Sequence, residues 1–63
     1  MPIIHVNILE GRTVEQKRKL VSSMTEAVVK SLDVKAEAVR IILNEMKKQN
    51  FAIAGILTAD KKE

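Results

Sequence analysis

A chain of 63 residues with a net charge of +3 and 46% hydrophobic residues is long enough for one small domain, which we assign to residues 1–63. It has no cysteine and one histidine, which excludes disulfides, thiolate metal sites and a His/Cys zinc cluster. No apolar run reaches the roughly 18 residues of a membrane span, and no signal peptide is visible, so we expect a cytoplasmic protein with no membrane partner.

The first predicted element is a β-strand over residues 2–9. Apolar, β-branched residues dominate this segment, with His5 and Asn7 at alternate positions. Residues 4, 6 and 8 would share one face of the strand, and residues 3, 5, 7 and 9 the other. We interpret His5 as a core or interface histidine.

A helix is predicted after the turn formed by residues 10–12. Thr13 followed by Gln16 fits a capping box, so the helix should begin near Val14 and end at residues 33–35. Its apolar residues recur at the spacing of one helical stripe. They are Leu20, Val21, Met24, Ala27, Val28 and Leu32.

Residues 38–44 predict a second strand, and residues 51–57 a short hairpin or arm. A strand, a long helix and a strand in this order favour parallel strands joined by a helical crossover. The predicted fold is therefore α+β: a short β-α-β monomer with a C-terminal hairpin or arm.

This arrangement leaves apolar surface uncovered. One helix covers one face of a two-stranded sheet, so Ile3, Leu9, Ile42 and the arm would be in water. Such patches usually mark interfaces, and a chain this short buries little core by itself. We therefore expect oligomerisation to complete the fold.

Pro2 is a candidate general base. Aminopeptidases generally remove Met1 when a small residue follows, and removal would expose a secondary amine at the start of the strand. The alternative is structural, because proline is common at the first residue of a strand.

Two arginines are candidate anion-binding residues. Arg12 lies just before the predicted helix N-terminus, which already favours an anion, and Arg40 lies within an otherwise apolar strand. Arg40 could form an intersubunit salt bridge with Glu10, Glu37 or Glu45. Alternatively, the two arginines could hold a dicarboxylate near the amino terminus of the first strand.

In the second arrangement, the arginines would disfavour a protonated Pro2 and lower the pKa of its amine toward neutrality. A base, two anion-binding groups and an apolar wall suit proton transfer alpha or vinylogous to a carbonyl. Glu10 could orient Arg12 or be an ordinary acid on the turn surface.

The chain resembles the 4-oxalocrotonate tautomerase family of the tautomerase superfamily along nearly its whole length. The most specific features are Pro2, the Leu9-Glu10-Gly11-Arg12 turn and the arginine in the second strand. The resemblance also extends over Glu15-Gln16-Lys17, Ser31-Leu32, Val39-Arg40, Glu45-Met46, Phe51 and Gly55.

The resemblance implies a homohexamer, a trimer of dimers, with active sites where subunits meet. Pro2 would move the 2-hydroxyl proton of a small anionic dienol, such as 2-hydroxymuconate, to a carbon of the resulting ketone. Arg12 would hold the far carboxylate, and Arg40 of a neighbouring subunit the near carboxylate and the 2-hydroxyl oxygen. Phe51 would keep Pro2 neutral, and Leu9 would line the site. No metal or organic cofactor is expected.

The chain departs from the family pattern at three places. Ala38 replaces a serine before the second strand, and Lys61-Lys62 replaces C-terminal arginines. Ile53 stands at the position where water-activating relatives have an acid.

Two other classes of function are weighed against the enzyme. One is a non-catalytic oligomeric structural or interaction module. The other is a small β-ribbon DNA-binding protein. Dispersed Lys and Arg residues and a single aromatic residue, Phe51, argue against nucleic acid as a partner.

Overall fold

The computed structural model describes residues 1–61. The elements confirm the predicted α+β class and occur in the predicted order. They are strand β1 (Ile3–Leu9), helix α1 (Val14–Leu32), strand β2 (Arg40–Met46), and the short strands β3 (Ala52–Ile53) and β4 (Ile56–Leu57). Single 3-10 turns occupy Ala36–Ala38, Lys48–Asn50 and Thr58–Asp60.

Strands β1 and β2 pair in parallel, with Ile3 opposite Arg40 and Leu9 opposite Met46. Helix α1 lies in the connection between them, as parallel pairing requires. The predicted bounds of β2, residues 38–44, are wrong by two residues at each end. The amides of Ala38 and Val39 donate to carbonyls of the preceding 3-10 turn, at 3.0 and 3.1 Å, so they are not available to the ladder.

Helix α1 begins with the predicted capping box. Thr13 Oγ1 accepts from the Gln16 amide at 3.1 Å, and Gln16 Oε1 accepts from the Thr13 amide at 2.9 Å. The helix ends at Leu32, where Asp33 adopts the left-handed conformation (φ 54°). Both ends therefore agree with the sequence-based prediction.

The predicted apolar stripe of α1 is partly wrong. Ala27 and Leu32 are exposed, whereas Thr25 and Val29 are half-buried. Leu32 is the last residue of the helix, and its exposed fraction is 58%.

Thr13→Ala should lower the free energy of unfolding by about 1 kcal/mol, because an orphan amide of the first helical turn loses its acceptor. Urea denaturation at a fixed protein concentration measures this change. Thr13→Ser keeps the hydroxyl and should stay close to the wild type. A Thr13→Ala midpoint equal to that of the wild type would contradict the assignment.

The C-terminal segment forms the predicted hairpin. Strands β3 and β4 pair antiparallel, with Ile53 opposite Ile56. Ala54 and Gly55, at the turn, have φ values of 54° and 80°, as a two-residue hairpin turn with matching twist requires. The amide of Thr58 donates to the carbonyl of Phe51 at 2.8 Å and closes the base of the hairpin.

No residue within 1–61 is fully buried in the single chain. Ile3 and Ile42 remain 47% and 48% exposed on the sheet face opposite the helix, as predicted, and His5 lies exposed on the same face. The predicted exposure of Leu9 is wrong: it is half-buried, at the end of β1 opposite Met46. The exposed apolar residues fit a chain that self-associates.

No helix within residues 1–61 is long and apolar enough to cross a bilayer.

Candidate active site

Pro2 and Arg40 lie together at the end of the sheet where both parallel strands begin. The amide of Arg40 donates to the carbonyl of Pro2 at 3.0 Å, and Pro2 is half-buried. Nη1 of Arg40 lies 3.3 Å from the carbonyl oxygen of Ala38 and 3.5 Å from Sδ of Met1. A candidate base and a candidate anion-binding group therefore lie at the same end of the sheet.

The Arg40 guanidinium has no carboxylate within 4.0 Å among the described residues. Glu45 pairs with Lys17 at 2.6 Å, and Glu10 accepts a hydrogen bond from a backbone amide. The intersubunit salt bridge considered for Arg40 stays a prediction.

Arg12 lies at the opposite end of β1, in the turn that leads to α1. It lines an open depression of about 690 Å³ together with Leu9, Glu10, Lys17 and Lys48. No carboxylate in residues 1–61 lies within 4.0 Å of its guanidinium. The depression thus combines an apolar wall with cationic groups, a composition suited to a small organic anion.

The two ends of β1 are too far apart to form one site in one chain. Seven strand residues separate Pro2 from the turn that holds Arg12, a span of about 23 Å. The structure therefore brings Pro2 close to Arg40 and Leu9 close to Arg12, but it does not bring the two pairs together.

Phe51 follows the turn Lys48–Asn50 and is half-buried. Its carbonyl anchors Thr58, as described above. Among the sites of departure from the family pattern, Ile53 and Lys61 are exposed, and Lys62 lies outside the described residues.

The sequence did not reveal the partner of Glu10. Its Oε2 accepts from the Lys48 amide at 3.1 Å, a contact between residues 38 positions apart. An acid directly after a strand was the only signal, because a contact between distant segments has no local pattern. Among residues 1–61, no group of three His, Cys, Asp or Glu side chains is placed to hold a metal ion.

A family model described as tautomerase enzyme matches residues 2–61. The chain belongs to the tautomerase family. It is an isomerase of the 4-oxalocrotonate tautomerase type, which confirms the family and the class of enzyme predicted from the sequence.

Relatives and solved structures agree with this assignment. A probable tautomerase of Halalkalibacterium halodurans is 43% identical over 97% of this chain and 100% of its own length. A structure from work on the 4-oxalocrotonate tautomerase isozymes of Methylibium petroleiphilum is 55% identical, with a TM-score of 0.89 over 92% of this chain and 91% of that one. A heterohexameric 4-oxalocrotonate tautomerase of Chloroflexus aurantiacus is 31% identical, with a TM-score of 0.92 over 98% and 100% of the two chains.

Membership in this enzyme family decides against a non-catalytic module. The DNA-binding alternative is not supported by the strand pairing within residues 1–61. The long strands pair in parallel, and the antiparallel pair has two residues in each strand.

Proposed function

We propose that this tautomerase interconverts enol and keto forms of 2-hydroxy-dienoates such as 2-hydroxymuconate, without a cofactor and with Pro2 as general base. The observation that carries the proposal is the family match, which begins at Pro2. Met1 precedes Pro2, so the proposal requires its removal: an acylated proline nitrogen is an amide and has no basicity.

In the proposed reaction, the neutral amine of Pro2 takes the proton of the 2-hydroxyl group. The electrons of the O–H bond form the new carbonyl, and the carbon–carbon double bonds shift along the carbon chain of the substrate. The same proton then returns from Pro2 to a carbon, in a 1,3- or a 1,5-transfer. One base in two roles is enough, since no net proton is gained or lost.

The remaining residues bind the negative charges of the substrate or line the site with apolar surface. Arg40 of a neighbouring subunit binds the near carboxylate and the 2-hydroxyl oxygen, where negative charge develops first. Arg12 binds the far carboxylate and draws electron density toward it. Phe51 and Leu9 supply apolar walls, and exclusion of water by Phe51 favours the neutral amine of Pro2.

Each site is proposed to combine residues of different chains. The separation of about 23 Å along β1 means that the Arg12 serving a given Pro2 must come from another copy. The lack of a fully buried residue within 1–61 supports self-association, and the heterohexameric relative supports a homohexamer, a trimer of dimers.

Ketonisation of 2-hydroxymuconate, followed by ultraviolet absorbance, tests this function. The expected result is turnover well above the spontaneous rate, with slower turnover of the matching monoacid, 2-hydroxy-2,4-pentadienoate, which lacks a carboxylate for Arg12. The proposal would be contradicted if either compound reacted no faster with the protein than in buffer alone.

A further inference from the structure

Glu10 connects the end of β1 to the segment after β2 through two hydrogen bonds. Its amide donates to the carbonyl of Met46 at 2.8 Å, and its Oε2 accepts from the amide of Lys48 at 3.1 Å. Lys48 begins the turn Lys48–Asn50, whose N-cap residue, Lys47, makes no side-chain capping bond. Glu10 therefore supplies, from a distant segment, the acceptor that the first amide of this turn requires.

This contact joins two parts of the proposed active site. Glu10 lies two residues before Arg12, and the turn capped by Glu10 leads directly into Phe51. The carboxylate is used by the Lys48 amide and is not among the ion pairs found in residues 1–61. The Arg12 guanidinium is thus left for an external carboxylate.

We propose that Glu10 is a positioning residue that fixes the Arg12 turn against the Phe51 segment by capping the Lys48 amide. The inference rests on the proposed function, because it assigns Arg12 to the far carboxylate of a dicarboxylate substrate. Without the cap, the bond from the Glu10 amide to the Met46 carbonyl still joins the ends of the strands, but the turn that leads to Phe51 is less firmly held against the Arg12 turn, and Arg12 holds that carboxylate less tightly.

The charge of Glu10 considered alone predicts the opposite effect of its removal on the affinity for an anion. Among residues 1–61, Glu10 is the only acid that lines the depression, beside the cations Arg12, Lys17 and Lys48. If Glu10 acted through its charge alone, its removal would strengthen the binding of an anion. The sign of the change in affinity therefore separates positioning from charge.

The experiment measures binding of two unreactive hexadienoates by calorimetry. Muconate has two carboxylates, and sorbate has a methyl group in place of the second. Glu10→Ala should weaken muconate binding about fivefold, the factor expected for one ordinary hydrogen bond, and leave sorbate within about twofold. Glu10→Gln keeps an acceptor oxygen without the charge and should bind muconate at least as tightly as the wild type. Muconate binding to Glu10→Ala that equals or exceeds wild-type binding would overturn the proposal.

A second pair of variants tests the donor. Lys48→Pro removes the amide hydrogen at a position where proline suits the start of a helical turn, and Lys48→Ala loses the same ammonium group but keeps the amide. Lys48→Pro should bind muconate about fivefold more weakly than Lys48→Ala, and this difference should vanish in the Glu10→Ala background. Equal affinities of Lys48→Pro and Lys48→Ala, or effects that add fully to that of Glu10→Ala, would overturn the proposal.

The binding measurement separates this inference from the proposed function, because it needs no turnover. If muconate affinity depends on Glu10 as expected but the wild-type protein does not ketonise 2-hydroxymuconate, the positioning role stands and the proposed reaction is wrong. A wild-type protein that ketonises 2-hydroxymuconate but shows no preference for muconate over sorbate would remove the positioning role alone. Sedimentation of each variant checks that its assembly matches that of the wild type.

Discussion

Pro2→Ala, in protein from which Met1 has been removed, should lower kcat for ketonisation of 2-hydroxymuconate by about two to four orders of magnitude. The new amino terminus is a primary amine, which lacks the pyrrolidine ring that holds the Pro2 nitrogen in a fixed position. The assembly should be unchanged, because the half-buried Pro2 contributes its carbonyl to the sheet and alanine keeps that carbonyl. Steady-state kinetics and sedimentation on protein of confirmed intact mass measure both quantities.

His5→Gln is the matched control for this variant. His5 is the single histidine of the chain and lies three residues from Pro2, exposed on the outer sheet face. The His5→Gln variant should keep kcat near the wild-type value, since His5 has no role in the proposed proton transfer. A large loss in His5→Gln together with a small loss in Pro2→Ala would assign the base to the imidazole and contradict the role of Pro2.

Arg12→Ala should lower kcat/KM for 2-hydroxymuconate by about two orders of magnitude, the usual cost of removing one partner from a hydrogen-bonded charge pair. Turnover of 2-hydroxy-2,4-pentadienoate should fall much less, because this monoacid has no far carboxylate. Comparing kcat/KM for the two substrates in both proteins measures the difference. Equal losses on both substrates would count against the role given to Arg12.

A mixture of Arg12→Ala with Pro2→Ala should regain activity that neither protein has alone. If each site takes Pro2 from one chain and Arg12 from another, random mixing of equal amounts leaves about a quarter of the sites intact. The two proteins are unfolded together, refolded and assayed, and native mass spectrometry confirms mixed assemblies. Mixed assemblies without recovered activity would show that both residues must come from the same chain.

Local patterns predicted the elements of the fold well. The Thr13–Gln16 capping box set the start of α1, and alternation along β1 gave the correct faces for residues 3–8. The start of β2 was missed because Ala38 and Val39 are apolar enough for a strand, yet their amides close a 3-10 turn. Leu32 fits the helical period but is exposed at the last position of the helix, and a periodicity does not show whether the end of a helix is covered.

The site was predicted less completely than the fold. The sequence identified Pro2, Arg12 and Arg40 as chemically unusual for their positions. The predicted strand over residues 2–9 already implied that Pro2 and Arg12 lie far apart, so the interpretation that placed both arginines near the start of that strand in one chain is wrong. The bond between Glu10 and the Lys48 amide depends on the register of β1 and β2, which places the ends of the two strands side by side.

The central claim, a proline base released by removal of Met1, is tested most directly by two preparations of the same chain, one with Met1 and one without. Intact mass establishes the state of each preparation, and ultraviolet absorbance follows ketonisation of 2-hydroxymuconate. The account predicts rapid turnover by the preparation that begins at Pro2 and nearly none by the one that keeps Met1. Equal turnover by both, or none by the processed protein, would contradict it.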